Sequence, residues 1–237
     1  MRRNRFPPYR ALLLSTVFAL SGCTLGHYAI HEKEFMEEYK VSHSLVDAKT
    51  PSFDDFRIQI PTLGEITYNY KAGEFYSFKQ FNLIVVVPIN IGHYYFKEDG
   101  RFYHIEVHTS GDPTKREIDE TTFNLKLKEG RESMISRLAR AYQELDGLFA
   151  GSQDRYQGID LRYTRSFDRS KVFLNGTATE ISSSGESKVE TAHTYALTIQ
   201  SGLPVHYENK SDNGTDSFDI AYGNAELTLP ELERARS

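Results

Sequence analysis

The 237 residues include one cysteine, Cys23, and no tryptophan. A single thiol excludes disulfides within the chain and any structural zinc site built from several of its own thiolates. Glycine and proline, at 16 and 8, are too few and too scattered for a collagen-like chain. A mean hydropathy of −0.52 excludes a bundle of membrane-spanning helices. With 39% hydrophobic residues, the chain is also not mostly disordered. Positive charge is in deficit, with 28 Lys and Arg against 33 Asp and Glu. The Gly-x-Ser-x-Gly elbow, His-Glu-x-x-His, the phosphate-binding glycine loop and the dinucleotide fingerprint are all absent.

What is present begins at the N-terminus. Arg2, Arg3, Arg5 and Arg10 precede an uncharged run, Ala11 to Leu20. At 1.5 Å per residue, such a run covers about half of a ~30 Å hydrocarbon core, so it reads as the apolar part of a signal peptide. Leu20-Ser21-Gly22-Cys23 follows at once and resembles the lipobox of bacterial lipoproteins. That resemblance implies diacylation of the Cys23 thiol, cleavage before it and acylation of the new amino group. It also implies outer-membrane delivery, because Thr24 stands where an Asp favours inner-membrane retention. With Cys23 so used, thiol catalysis is excluded.

Removing 22 residues and four arginines would leave 24 basic and 33 acidic side chains, a net charge of −9. An acidic body repels phosphate backbones and anionic headgroups. Nucleic acid is therefore not an expected partner, and the membrane is expected to be held through acyl chains.

Three segments are expected: a signal peptide over 1–22, a lipidated Cys23 with a tether over 23–50, and a single domain over 51–237. His31 to Lys40 carries strong helix formers with alternating charge, which predicts a short surface helix or a solvated tether. Glu37 and Glu38 diverge by about 100° on a helix, so they do not form an acid/base pair.

From Phe53 the period becomes two. Phe56 to Ile60 and Ile66 to Tyr70 alternate as strands, and Phe81 to Val87 reads as a strand covered on both faces. Phe75, Tyr76, Phe78 and Phe81 read as core filling. Asp99-Gly100 is a two-residue hairpin turn. Its register pairs Phe96 with Tyr103, Tyr95 with His104 and His93 with Glu106. One hairpin face then carries Tyr94, Phe96, Tyr103, Ile105 and Val107. The other gathers His93, Tyr95, His104, Glu106 and His108.

Cross-strand Cβ atoms lie about 5 Å apart, so His93, His104, Glu106 and His108 form a candidate site for a divalent transition metal; the alternative is a solvated polar face. Near Gly130 to Ala150, Met134, Ile135, Leu138, Tyr142, Leu145 and Phe149 recur at helical spacing, which predicts a helix closing one side of a sheet. Period two returns in Val172 to Ile181, Val189 to Gln200, Leu203 to Glu208 and Phe218 to Tyr222, a meander. His193 shares a face with Tyr195 and Leu197 and reads as a packed or hydrogen-bonded histidine.

The fold expected is α+β: an antiparallel meandering sheet with one long amphipathic helix over about 130–150. The function expected is that of a non-enzymatic, outer-membrane-anchored periplasmic lipoprotein that binds a protein partner or an apolar ligand. Two alternatives are an immunity lipoprotein that neutralises a secreted antibacterial toxin, and a metal-binding protein or metal-dependent hydrolase using the histidine face. A triad of Ser, His and Asp assembled from distant positions also stays open at this level.

Overall fold

The structure, a computed structural model, describes residues 26–61, 64–81, 89–151, 155–184 and 187–223. The signal peptide, Cys23 and most of the apolar run expected as a strand over 81–87 lie outside these residues. Among the described residues no helix is long and apolar enough to cross a membrane.

The elements in chain order are β1 (His27–Ala29), α1 (Glu32–Asp47), a 3₁₀ turn (Pro51–Asp54), β2 (Asp55–Pro61), β3 (Gly64–Lys71), β4 (Glu74–Phe81), β5 (Ile89–Glu98), β6 (Arg101–His108) and β7 (Thr114–Ile118). The second half follows with α2 (Glu120–Phe149), β8 (Tyr156–Ser166), β9 (Lys171–Ser184), β10 (Ser187–Gln200), β11 (Leu203–Ser211) and β12 (Gly214–Tyr222).

All twelve strands form one antiparallel sheet in the order β1-β8-β9-β10-β11-β12-β2-β3-β4-β5-β6-β7. Two meanders, β2 to β7 and β8 to β12, are joined where β12 pairs β2, with Ile220 opposite Ile58. The antiparallel sheet with a packed helix is the α+β architecture expected.

Among the described residues there are two α-helices: the long one expected, and one over the segment read as a short surface helix or a tether. α2 begins at Glu120, ten residues before Gly130, and its 30 residues extend for about 45 Å. Asp119 caps it, its carboxylate accepting from the Thr122 N–H at 2.8 Å. Gly130 is not the start of the helix but a point of tight contact with the sheet. A Cβ there would lie 2.5 Å from the Phe75 ring, so the helix rests directly on that ring. The usual helix-propensity cost of an interior glycine, about 1 kcal/mol, is offset by this contact.

α1 is likewise more than a surface helix or tether. Phe35, Tyr39, Ser42 and Val46 are buried along one stripe. Phe35 lies among the rings of Tyr39, Phe149 and Tyr163. The Tyr39 hydroxyl donates to Asp146 on α2 at 2.8 Å, and Ser42 shares a hydrogen bond with the Tyr142 hydroxyl. Glu34 and Glu38 both pair with Arg165 on β8. Glu38 is therefore an ion-pair partner, consistent with the diverging geometry read for Glu37 and Glu38.

The main core joins α1, α2 and one face of the sheet, through Phe56 and Ile58 of β2, Leu174 of β9, Leu197 of β10 and Phe218 of β12. Polar ties fix α2 along its length. Arg131 donates to the carbonyls of Lys49 and Phe53 and pairs with Asp54; Arg137 pairs with Asp216; Glu144 accepts from the Tyr207 hydroxyl and Asn209. A second cluster, Tyr76, Tyr94, Phe96, Ile105 and Val107, packs on the opposite face of β4 to β6. Both faces of this part of the sheet are therefore buried.

Candidate ligand cleft

The Asp99-Gly100 turn has the positive φ values that such a hairpin requires, 49° and 80°. The register is the one the turn predicts: His93 faces Glu106, Tyr95 faces His104 and Phe96 faces Tyr103. The side carrying Tyr95 and His104 is the side α2 covers, since Phe102 packs against Phe123 of α2 at 4.8 Å. His104 is buried, whereas His108 is exposed, so the four candidate ligands do not share one solvated face.

The hydrogen bonds assign the imidazoles. Arg116 Nε donates to His104 Nδ1 at 3.1 Å, which requires a lone pair on that nitrogen and places the proton on Nε2. Nε2 then donates to His93 Nδ1 at 3.2 Å. Burial, reinforced by the Arg116 cation and by His93, holds His104 at a pKa of about 4. His93 is lowered too, chiefly by burial, with His108, Lys79 and Arg116 adding and Glu106 opposing. Tyr95 stacks on His104 at 4.5 Å and completes the group.

Both nitrogens of His104 are thus hydrogen bonded, and a metal at this ring would have to displace Arg116 or His93. The remaining pair, His108 Nε2 and Glu106 Oε1, stands 3.6 Å apart near the sheet surface. Among the described residues no group of three or more His, Cys, Asp and Glu is placed to hold a metal ion.

His93 also lines a cleft of 420 Å³ between α2 and the sheet, within the range typical of small-molecule sites. Three cross-strand pairs of β4 and β5 supply most of its floor: Phe75 with Tyr95, Ser77 with His93, and Lys79 with Ile91. Alternation places each of these triplets on the helix side of its strand. Tyr68 of β3 extends the floor, and Lys126, Glu129, Gly130 and Ser133 form the roof. The roof residues follow the i, i+3, i+4, i+7 spacing of one helical stripe. The walls are therefore aromatic and aliphatic, with a few polar groups converging on the space between them.

A larger hollow of 570 Å³ lies against β9 to β11, but its lining is Gly, Ala, Thr and polar or charged side chains such as Glu208, Lys210 and Asp212. It has no large apolar wall. His193, which borders it, donates from Nδ1 to Asn209 Oδ1 at 2.7 Å and faces Glu180, a hydrogen-bonded histidine as the sequence suggested.

Sequence reasoning found His93 and Tyr95 but missed Ser77, Lys79, Lys126, Glu129 and Ser133. The usable signals were the alternation Phe75, Ser77, Lys79 and the polar stripe 126, 129, 133. Starting the helix at Gly130 left Lys126 and Glu129 outside it.

No protein-family model and no curated protein matches the chain. Among solved structures it is similar to a DNA polymerase sliding clamp from Pseudomonas aeruginosa at 7% identity, over 89% of this chain and 67% of that one, with a TM-score of 0.15. A likeness that slight carries no argument about fold or function.

Proposed function

We propose that the chain is an outer-membrane lipoprotein, held by acyl chains at Cys23, whose periplasmic domain binds an apolar ligand in the cleft between α2 and β3 to β5. The observation that carries the ligand reading is the cleft itself. Tyr68, Phe75, Ile91 and Tyr95 give it apolar walls, and its few polar groups are confined to specific positions. Ligand sites generally combine such walls with a small number of placed polar groups.

The anchor reading rests on the lipobox. Three residues after Cys23, the Gly26 carbonyl accepts from the Phe167 N–H at 3.0 Å. Phe167 is 66% exposed and its ring stacks on Tyr28 at 6.0 Å. Exposed aromatics are suited to a membrane–water interface, so the end of the domain nearest Cys23 has the chemistry of a bilayer-facing end.

Uptake of N-phenyl-naphthylamine, which fluoresces in apolar surroundings, tests the ligand reading. Ser133 is exposed on the roof of the cleft, so Ser133→Trp should fill the space without disturbing the core. The wild-type chain should raise the dye's emission and Ser133→Trp should abolish most of that rise. Equal emission with both proteins would overturn the reading.

A further inference from the structure

The cleft walls differ in charge from the rest of the molecule. The whole chain has a formal charge of −5, yet the cleft is bordered by the ammonium groups of Lys79 and Lys126, with Glu129 as its one carboxylate. Lys126 is paired with that carboxylate at 2.8 Å. Lys79 has no hydrogen-bond or ion-pair partner among the described residues, although it is only partly exposed. A half-covered cation gives up hydration, and no described residue compensates Lys79 for it.

The neighbouring groups do not supply the missing anion. On β5, Ile91 stands directly opposite Lys79, and His93 carries a neutral ring whose Nδ1 is occupied by His104. The hydroxyls of Ser77, Ser133, Tyr68 and Tyr95 are the other side-chain polar groups of the lining, and none of them is an anion at neutral pH. The remaining walls are Tyr68, Phe75, Ile91 and Tyr95, which favour a hydrocarbon. At ~30 Å³ per unit, the share of one water in the liquid and close to that of a methylene, 420 Å³ takes about fourteen methylene-sized units. That matches one acyl chain rather than two.

We infer that the cleft binds a single-chain amphiphile with an anionic head group, a long-chain carboxylate in the simplest case, and that Lys79 recognises the head group. This deepens the ligand reading above and rests on it. The chain lies over the aromatic floor, and the carboxylate accepts from the Lys79 ammonium in a charge-assisted bond. Lys126 remains paired with Glu129 and adds to the local positive potential only weakly. A neutral head group leaves Lys79 unpaired and so binds less tightly.

Photo-crosslinking tests this on the full chain in its native membrane fraction, using diazirine-tagged myristate and the corresponding myristyl alcohol, with the labelled peptides mapped. The account predicts that both probes label peptides of the cleft and that the acid half-saturates at about tenfold lower concentration than the alcohol. Lys79→Met should remove that preference and leave labelling by the alcohol unchanged. Lys79→Arg should keep it. Because Lys79 has no partner among the described residues, unchanged thermal midpoints in both variants serve as the folding control. Equal labelling by acid and alcohol, untouched by Lys79→Met, would overturn the head-group assignment while leaving the apolar cleft standing. Labelling of the cleft by neither probe would overturn both.

Discussion

His104 shows how one side chain is fixed by its surroundings. Its neutral form satisfies Arg116 through Nδ1 and His93 through Nε2, and protonation would place a second cation against the Arg116 guanidinium. The folded value is about 4, below the ordinary value of about 6.5. On acidification the unfolded chain takes up this proton first. The group's contribution to stability is therefore fully present above about pH 6.5 and is lost as the pH falls toward 4. Linkage puts the loss from His104 at about 3 kcal/mol across that window. His104→Gln keeps an acceptor for Arg116 and a donor for His93 but does not titrate. Urea midpoints measured at pH 7 and pH 4 should fall less in the variant than in the wild type, and parallel falls would contradict the assignment. The sequence placed His104 beside His93 and Glu106 but could not show that α2 covers that face. Nor did it identify Arg116 as a partner, since β7, which carries it, has no period-two apolar pattern.

At the scale of elements, the legible parts of the fold were those specified locally. The Asp99-Gly100 turn dictates the hairpin pairings through the φ values it requires, and the structure reproduces them residue by residue. The late meander was also legible, because Ser201-Gly202 and Asp212-Asn213-Gly214 punctuate strands that alternate clearly. Where a contact distant in sequence decides the outcome, local reading stops short. Gly130 resembles a helix boundary until Phe75 is known to lie beneath it, and Asp119 was the cap that marked the true start. The charged surface of α1 similarly hides the stripe Phe35, Tyr39, Ser42 and Val46. Phe35→Ala separates the two readings of this helix. As a core element, α1 should lose about 3 to 5 kcal/mol in a urea titration. A loss under about 0.5 kcal/mol would return it to the surface. The outer strands are protected in a different way. β7, with Lys115, Arg116 and Glu117, presents charge along its exposed edge, which disfavours strand addition by a partner.

For the whole molecule, the long helix ties the two meanders to one core and holds the cleft open over the half that contains β3 to β5. Phe75 beneath Gly130 sets the spacing between helix and sheet, and the roof residues on either side of Gly130 face the space that remains. The anchor and the cleft are separable claims. Cys23→Ala should abolish acylation and move the chain out of the outer-membrane fraction, and unchanged fractionation and mobility would refute the lipoprotein assignment. Such a change leaves the cleft residues intact, so ligand capacity should persist in the unanchored chain.

The central claim is that the cleft holds an apolar molecule. Its most direct measurement is the extractable apolar content of the full chain purified from its own envelope, determined by mass spectrometry after solvent extraction and compared with Ser133→Trp prepared identically. The account predicts a near-stoichiometric single-chain amphiphile with the wild type, in excess of the acyl groups bound at Cys23, and its loss from the variant. The same extractable content in both proteins would contradict it.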